Sequence, residues 1–315
     1  MPEPPPSKSP ADPSPAPPPG QTPDETGRGW AYAAVLAAAL LFSTGGAAIK
    51  AADLSGWQIA SFRSGVAGLA IWLLLPAART WGATAAARRK TLLVALAYAG
   101  TVTAFVLANR LTTAANTIFL QSTAPLYILL LSPWLLRERV GRSELLTMVV
   151  VGVGLGTLLL GAPPASATAP NPARGNLLAL LSGLTYALLI IGLRRTGRDG
   201  GSATSAVVLG NTLAFLGALP FALPLGQPAL VDWLVVVYLG VFQVGLAYVL
   251  LAAALRKVPA FEASLLMFTE TALNPVWTFL VHGEDPGPWA IAGGTLILGA
   301  LGAHGYSKRN PKRVP

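Results

Sequence analysis

The sequence predicts an all-α integral membrane protein in which ten transmembrane helices form two inverted five-helix repeats around a central cavity. Hydrophobic residues make up 53% of the 315 residues and charged residues only 11%, whereas a soluble domain carries about a quarter charged residues. Uncharged stretches at 31–49, 111–136 and 233–255 are each long enough to cross a bilayer. An ordinary soluble globule is therefore excluded.

The predicted helices are the apolar segments between clusters of Lys and Arg and breaks rich in Pro and Gly. All of them should be helical, because an isolated strand cannot satisfy its backbone hydrogen bonds in lipid. The predicted segments are 30–49, 57–76, 91–109, 112–135, 145–161, 175–193, 203–224, 230–254, 258–281 and 288–305.

The two ends of the chain differ from this apolar centre. Residues 1–29 hold 11 of the 27 prolines and no apolar run, and such a composition cannot bury enough surface to offset chain entropy. We expect a disordered, Pro-rich cytoplasmic tail there. A signal peptide is not expected, because it would need a short apolar core. Residues 306–315 are predicted to form a basic cytoplasmic tail.

The loop charges predict how the helices are oriented. With the N-terminus in the cytoplasm, all but four of the 22 Lys and Arg residues lie in cytoplasmic segments, as the positive-inside rule requires. The exceptions are Lys50, Arg110 and Arg174 in outer segments and Arg63 within a span. Both termini of this multi-pass protein of the cell membrane are therefore predicted to be cytoplasmic. The net charge of +9 is interpreted as orientation in the lipid bilayer and not as nucleic-acid binding.

The two halves of the chain repeat each other. Residues 30–161 and 175–305 each hold five predicted spans, with an outer linker at 162–174 between them, and GTLLLG at 156–161 is echoed by GTLILG at 294–299. Because five is odd, the second copy must enter the membrane from the opposite side. Such inverted repeats let two halves alternate between inward-open and outward-open states around a central site.

A series of short motifs runs through both halves. They are AAN at 114–116, QSTAPL at 121–126, Glu138-Arg139, EASL at 262–265, Glu270, NPVW at 274–277, Gly283-Glu284 and Gly293-Gly294. In this order the motifs resemble the EamA repeat of the drug/metabolite transporter superfamily, over residues 30–305. The resemblance implies a ten-helix transporter of small metabolites with its cavity between the two five-helix halves. Members of the superfamily move amino acids, nucleotide sugars, drugs and other metabolites, so the substrate stays open.

The predicted function is a secondary transporter of the exporter type that moves a small metabolite, such as an amino acid or a related compound, by alternating access. A non-transporting membrane scaffold or sensor is one alternative, and a membrane-embedded enzyme is another. An enzyme is disfavoured because the sequence has no Cys and only two His, and it lacks a Gly-x-Ser-x-Gly elbow and an Asp-rich metal motif. No Walker A pattern is present, so ATP is not expected to drive transport directly. We predict no cofactor and no metal site. Coupling to protons and the oligomeric state are left open.

Two charges within the predicted spans are the main candidates for substrate binding or coupling, because a charge at mid-helix costs about 2.5–3.5 kcal/mol to insert. A rise of about 1.5 Å per residue places Arg63 of the second helix and Glu270 of the ninth at similar depth. Glu270 is predicted to line the cavity and either to bind a cationic group of the substrate or to take up a proton. A permanent ion pair with Arg63 is the alternative.

Polar residues and prolines accompany these charges. Asn274 follows Glu270 by four residues and so lies on nearly the same helix face. Pro125 and Pro275 each remove a backbone hydrogen bond and are predicted to kink the fourth and ninth helices toward the substrate path, with a mere packing kink as the alternative. Gln121, Ser122 and Asn274 are predicted substrate contacts, although they would serve equally as hydrogen bonds between helices.

Charged residues near the two membrane faces form a separate group. Those interpreted as gating or interfacial residues are Glu262, Glu138 and Glu284. For Glu262 an interfacial salt bridge is favoured over a transport role. Charged residues near the predicted outer face are interpreted as solvated helix ends, with gating pairs as the alternative, and they are Lys50, Asp53 and Asp232.

Overall fold

A computed structural model describes residues 23–79, 84–135, 142–160, 166–198, 203–254, 257–258 and 260–309. Within these ranges the regular structure is helical, and the β-bridge between Ser166 and Ala169 belongs to no strand. The prediction of an all-α protein is therefore confirmed for the described part of the chain.

The helices follow the apolar segments of the sequence in order. In the first half they are α1 (Pro23–Ser43), α2 (Gly45–Ala51), α3 (Gly56–Leu74), a 3-10 turn (Pro76–Arg79), α4 (Ala85–Leu111), α5 (Ala114–Gln121), α6 (Ala124–Leu135) and α7 (Arg142–Leu160). In the second half they are α8 (Pro172–Arg198), α9 (Ala203–Ala222), α10 (Leu230–Tyr238), a π-helix (Leu239–Leu246), α11 (Ala247–Ala254), α12 (Ala260–His282) and α13 (Gly287–Arg309).

Several of these helices are long and apolar enough to cross a membrane by length and composition. The five candidate spans are Gly29–Ala51, Ala85–Leu111, Pro172–Leu193, Ala203–Ala222 and Leu230–Ala254. Shorter apolar stretches lie in α7 and α13. Each of the ten predicted segments coincides with one helix or with consecutive helical pieces, and the crossing of the membrane by all ten stays a prediction.

The helices extend beyond the apolar segments that predicted them. Helix α1 begins at Pro23, within the predicted tail of residues 1–29, and α13 continues to Arg309, within the predicted tail of residues 306–315. The predicted boundaries at residues 29 and 306 thus fall within helices, because backbone hydrogen bonds continue past the apolar run. Residues 1–22 and 310–315 lie outside the described part of the chain.

The distribution of side chains suits a lipid environment. Large apolar side chains such as Leu74 and Leu230, both 75% exposed, cover the outside of the helices. Polar side chains such as Asn109, Asn116 and Asn211 are at most 1% exposed and lie between helices. In lipid the exposure of Leu carries no penalty, whereas a polar group needs partners inside the bundle.

The contacts between the two halves are pairwise symmetric. Helix α3 packs on α9 and α7 packs on α13, so the second and fifth segments of one half meet their counterparts in the other. Helix α4, the third segment of the first half, packs on α8, the first segment of the second half. In the reverse pairing, α11 from the third segment of the second half packs on α1, the first segment of the first half. This exchange is the pattern expected of two related five-segment units that enclose a common centre.

Candidate functional site

The fourth apolar segment is broken in the middle of the bundle. Helix α5 ends at Gln121, and α6 begins at Ala124 with Pro125 in its first turn, where the missing N–H of a proline has no helical partner to lose. The ninth segment behaves differently, because α12 continues through Pro275. The two prolines therefore act differently: Pro125 coincides with a helix break and Pro275 with an uninterrupted helix.

The break places two predicted residues between the halves. The Gln121 side-chain amide donates to the Ser182 hydroxyl of α8 at 2.6 Å, and the hydroxyls of Ser122 and Thr271 in α12 lie 2.8 Å apart. Gln121 and Ser122 are both partly exposed. Each makes a hydrogen bond between helices and still keeps a polar surface that solvent can reach. Thr271, which the sequence analysis did not select, is the direct neighbour of Glu270.

Glu270 lies in the middle of α12, and its side chain is half-buried. Within the described residues its carboxylate has no hydrogen bond and no salt bridge. Tyr186 of α8 and Tyr248 of α11 lie close enough to interact with it electrostatically. Among the described residues the carboxylate thus has no cationic partner, and two tyrosines interact with it electrostatically.

Arg63 is the second charge within the bundle, and it also interacts electrostatically with Tyr248. It is 2% exposed, and its guanidinium donates to the Gln243 side-chain oxygen at 3.3 Å and to the Val102 carbonyl at 2.8 Å. Its Nε has no acceptor among the described residues. The predicted alternative of an ion pair with Glu270 is wrong for this conformation, because neutral oxygens of α4 and the π-helix hold the guanidinium instead.

Gln243 lies in the π-helix, which packs closely against α3. A Cβ added at Gly240 would lie 2.8 Å from the Arg63 carbonyl oxygen and 2.7 Å from Val66, so the π-helix and α3 approach to backbone contact there. A π-helix widens the turn and is frequent at functional sites. Sequence analysis missed Gln243, and the glycines at 240 and 245 were the available signal of a close approach.

The side chain of Asn274 is not accessible to solvent in this conformation. It is fully buried, its amide has no hydrogen-bond partner among the described residues, and it packs against Gly46 of α2. The one-turn spacing from Glu270 predicted that Asn274 shares its helix face. It did not show that α2 covers that part of the helix face, which only the tertiary structure decides.

Two of the charged residues of the predicted outer face, Lys50 and Asp232, are paired and buried, whereas Asp53 is exposed. Lys50 and Glu284 form a salt bridge of 2.8 Å with side-chain exposures of 5% and 4%. The Asp232 carboxylate accepts from the backbone N–H groups of Asp53 and Ala229. The interpretation of Lys50 and Asp232 as solvated helix ends is therefore wrong, because both groups find partners across the interface between the halves.

The side chains of two predicted gating or interfacial residues lie outside what the structure describes. Glu262 lies in the first turn of α12, and its side chain lies outside the described atoms. Glu138 falls at residues 136–141, outside the described part of the chain. Among the residues that the structure describes, no group of three or more His, Cys, Asp and Glu side chains could hold a metal ion.

The sequence matches a family model twice, once in each half of the chain. The model describes the EamA-like transporter family, and the matches cover residues 29–160 and 173–303. The chain belongs to the EamA-like transporter family. It is therefore a multi-pass membrane protein of a transporter family, which is not an enzyme class.

One similar protein is named a transporter. The chain is 26% identical over 215 residues to an uncharacterized transporter, YetK, of Bacillus subtilis strain 168. The alignment covers 65% of this chain and 63% of YetK, which is less than two thirds of that protein.

A solved crystal structure resembles the EamA family member described here over most of its length. It shares 20% sequence identity and a TM-score of 0.62, covering 90% of this chain and 99% of the other. At this identity the likeness shows a common fold. The overall helix arrangement of this EamA family protein is therefore one that has been observed experimentally.

Proposed function

We propose that this EamA family member is a secondary transporter that exports a small metabolite, such as an amino acid or a related compound, across the cytoplasmic membrane by alternating access. All ten helical segments would cross the membrane, with both termini in the cytoplasm. The observation that carries the proposal is Glu270, a carboxylate within the bundle that solvent reaches and no described cation neutralises.

Glu270 is the proposed binding or coupling group. A buried charge is costly unless it is paired, so an ammonium group of the substrate, or a proton, would stabilise the occupied site. Tyr186 and Tyr248 interact electrostatically with the carboxylate, and aromatic side chains near a cation site attract organic cations. Substrate and proton would therefore compete for one carboxylate, which is a simple basis for coupled exchange.

Arg63 is proposed to take the opposite end of the substrate. Its guanidinium has a free Nε and only neutral acceptors among the described residues. A carboxylate supplied by the substrate would form the charge-assisted hydrogen bonds that Arg favours. Tyr248 interacts electrostatically with both Arg63 and Glu270, and a zwitterionic substrate could bridge the two charges.

Efflux from proteoliposomes tests the proposal. Vesicles containing purified protein are loaded with a panel of labelled amino acids, and efflux is measured with and without an imposed proton gradient. We expect efflux of at least one compound, and its reduction to the level of protein-free vesicles by Glu270→Gln. Asp285→Asn removes an exposed carboxylate near the surface and should leave efflux unchanged.

Each result decides between the proposed roles. Loss of the gradient dependence alone in Glu270→Gln would assign Glu270 to proton coupling, and loss of all efflux would assign it to substrate binding or to both. A folded Glu270→Gln protein that transports at the native rate under every gradient would contradict both roles. Absence of efflux for every compound in the native protein would favour a scaffold or sensor.

A further inference from the structure

The salt bridge between Lys50 and Glu284 joins the two halves of the protein. Lys50 lies in the last turn of α2, in the first half, and Glu284 lies in the turn between α12 and α13, in the second. Their charged atoms are 2.8 Å apart, and both side chains are almost completely buried. A buried ion pair needs further hydrogen bonds to offset the loss of hydration, and this pair has them.

Backbone groups complete the coordination of both charges. Glu284 accepts from the backbone N–H of Ala114 at 2.7 Å, at the first residue of α5, where the helix dipole favours a carboxylate. Lys50 donates to the carbonyl oxygens of Thr112 and Thr168. Four separate parts of the chain therefore converge on one pair of charges, and they seal the bundle at this end.

Contacts on either side of the pair extend the seal. The His282 ring nitrogen lies 2.8 Å from the Ala47 carbonyl oxygen of α2. On the other side, the backbone N–H of Asp53 donates to the Asp232 carboxylate at 2.8 Å. The chain from 47 to 53 is thus held to the second half at three points.

The helix face between this seal and Glu270 is closed as well. Thr271, Asn274 and Thr278 follow one another along the same face of α12, and their exposures are 4%, 0% and 1%. The Trp277 ring nitrogen also donates to the Ser43 hydroxyl at 3.0 Å. Access to Glu270 along this face of α12 from the Lys50 end is therefore closed.

We infer that the Lys50–Glu284 pair is a gate latch, which must break before Glu270 can be reached from the Lys50 end. The inference rests on the proposed function, since alternating access requires a closed gate on one side. Opening would also separate α2 from α12 and uncover the unpartnered amide of Asn274. The loop-charge pattern predicts that this gate faces the outside of the cell.

Removing one charge should open the gate. In Lys50→Met the Glu284 carboxylate keeps its Ala114 partner but loses its cation. Hydration lowers the free energy of an uncompensated buried charge, so the open state, in which water reaches Glu284, is favoured. In Glu284→Gln the buried Lys50 ammonium is left without its anion. The double variant Lys50→Met/Glu284→Gln buries no charge, and the Gln oxygen can still accept from Ala114, so the closed state should return.

A charge exchange is not expected to rescue the gate. A Glu at position 50 would face the carbonyl oxygens of Thr112 and Thr168, and a Lys at position 284 would face the Ala114 N–H. Like partial charges would meet at both positions. The neutral double variant is therefore the proper test of the latch.

Cysteine labelling measures opening directly. The chain has no cysteine, so Thr278→Cys introduces the single reactive thiol on the closed path. A membrane-impermeant maleimide is added to intact cells or to inside-out vesicles, and the labelling rate is compared among variants. Arg174→Met removes an exposed cation and serves as the control. Size-exclusion profiles and thermal unfolding of each purified variant verify the fold.

We expect labelling from one side only. Each single variant should label at least about tenfold faster than the native pair, which corresponds to a tenfold change in the open population. The double variant and Arg174→Met should label at the native rate. Labelling in intact cells would place the gate outside, and labelling in inside-out vesicles would place it inside.

The inference is overturned if both folded single variants label at the native rate, or if the double variant labels as fast as they do. Should one single variant fail to fold, the other still decides. Labelling requires no transported substrate, so its outcome is independent of the efflux assay. Fast labelling without efflux of any compound would retain the gate and reject the proposed metabolite transport.

Discussion

Arg63 in the first half of the chain and Gln243 in the second half are joined by a hydrogen bond of 3.3 Å. The bond fixes a cation that is 2% exposed to an acceptor in the π-helix, next to the ring of Tyr248. A neutral acceptor holds the cation in place without cancelling its charge. An anion that enters the site would therefore still be attracted to Arg63.

Replacement of Gln243 by Leu should destabilise the protein by about 1–3 kcal/mol, because a donor of a buried cation would lose its acceptor. Gln243→Glu keeps an acceptor oxygen and adds a counter-charge, so its stability should lie near or above that of the native protein. Thermal unfolding in detergent measures both, with the exposed Gln227→Leu as control. Equal stability of Gln243→Leu and native protein would show that the bond is dispensable.

Gly240→Ala should destabilise the contact between the π-helix and α3. The new Cβ would lie 2.8 Å from the Arg63 carbonyl oxygen, and overpacking of this kind costs about 1–3 kcal/mol. Gly217→Ala in α9 is the matched control, since no atom lies within 4 Å of its added Cβ. The control should gain up to about 1 kcal/mol from helix propensity. The prediction fails if the two variants unfold at the same temperature.

The hydroxyl pair of Ser122 and Thr271 should couple the broken fourth segment to α12. The oxygens are 2.8 Å apart, and interhelical hydrogen bonds of this kind average about 0.6 kcal/mol. A double-mutant cycle with Ser122→Ala and Thr271→Val measures the coupling in the unfolding free energy. Additive effects of the two substitutions would mean that the bond contributes nothing.

The sequence predicted the position of the helices because the lipid environment demands long apolar segments with internally paired backbones. It was less accurate for helix ends, as the early start of α1 at Pro23 shows. Pro125 predicted the site of the break in the fourth segment. Helix α12 is continuous through Pro275, and the bend predicted there stays a prediction, because a proline removes one backbone hydrogen bond while the neighbouring turns can keep theirs.

Composition, charge pattern and internal repetition by themselves indicated the all-α membrane class, and the order of short motifs carried the resemblance to the EamA family that the family model shows. They also selected Glu270, because a lone carboxylate in an apolar segment is rare. Only the tertiary structure decided that Lys50 meets Glu284, that Arg63 binds Gln243 and that α2 covers Asn274. Each of those pairs lies far apart in sequence, and the packing of two halves, which no local pattern encodes, brings them together.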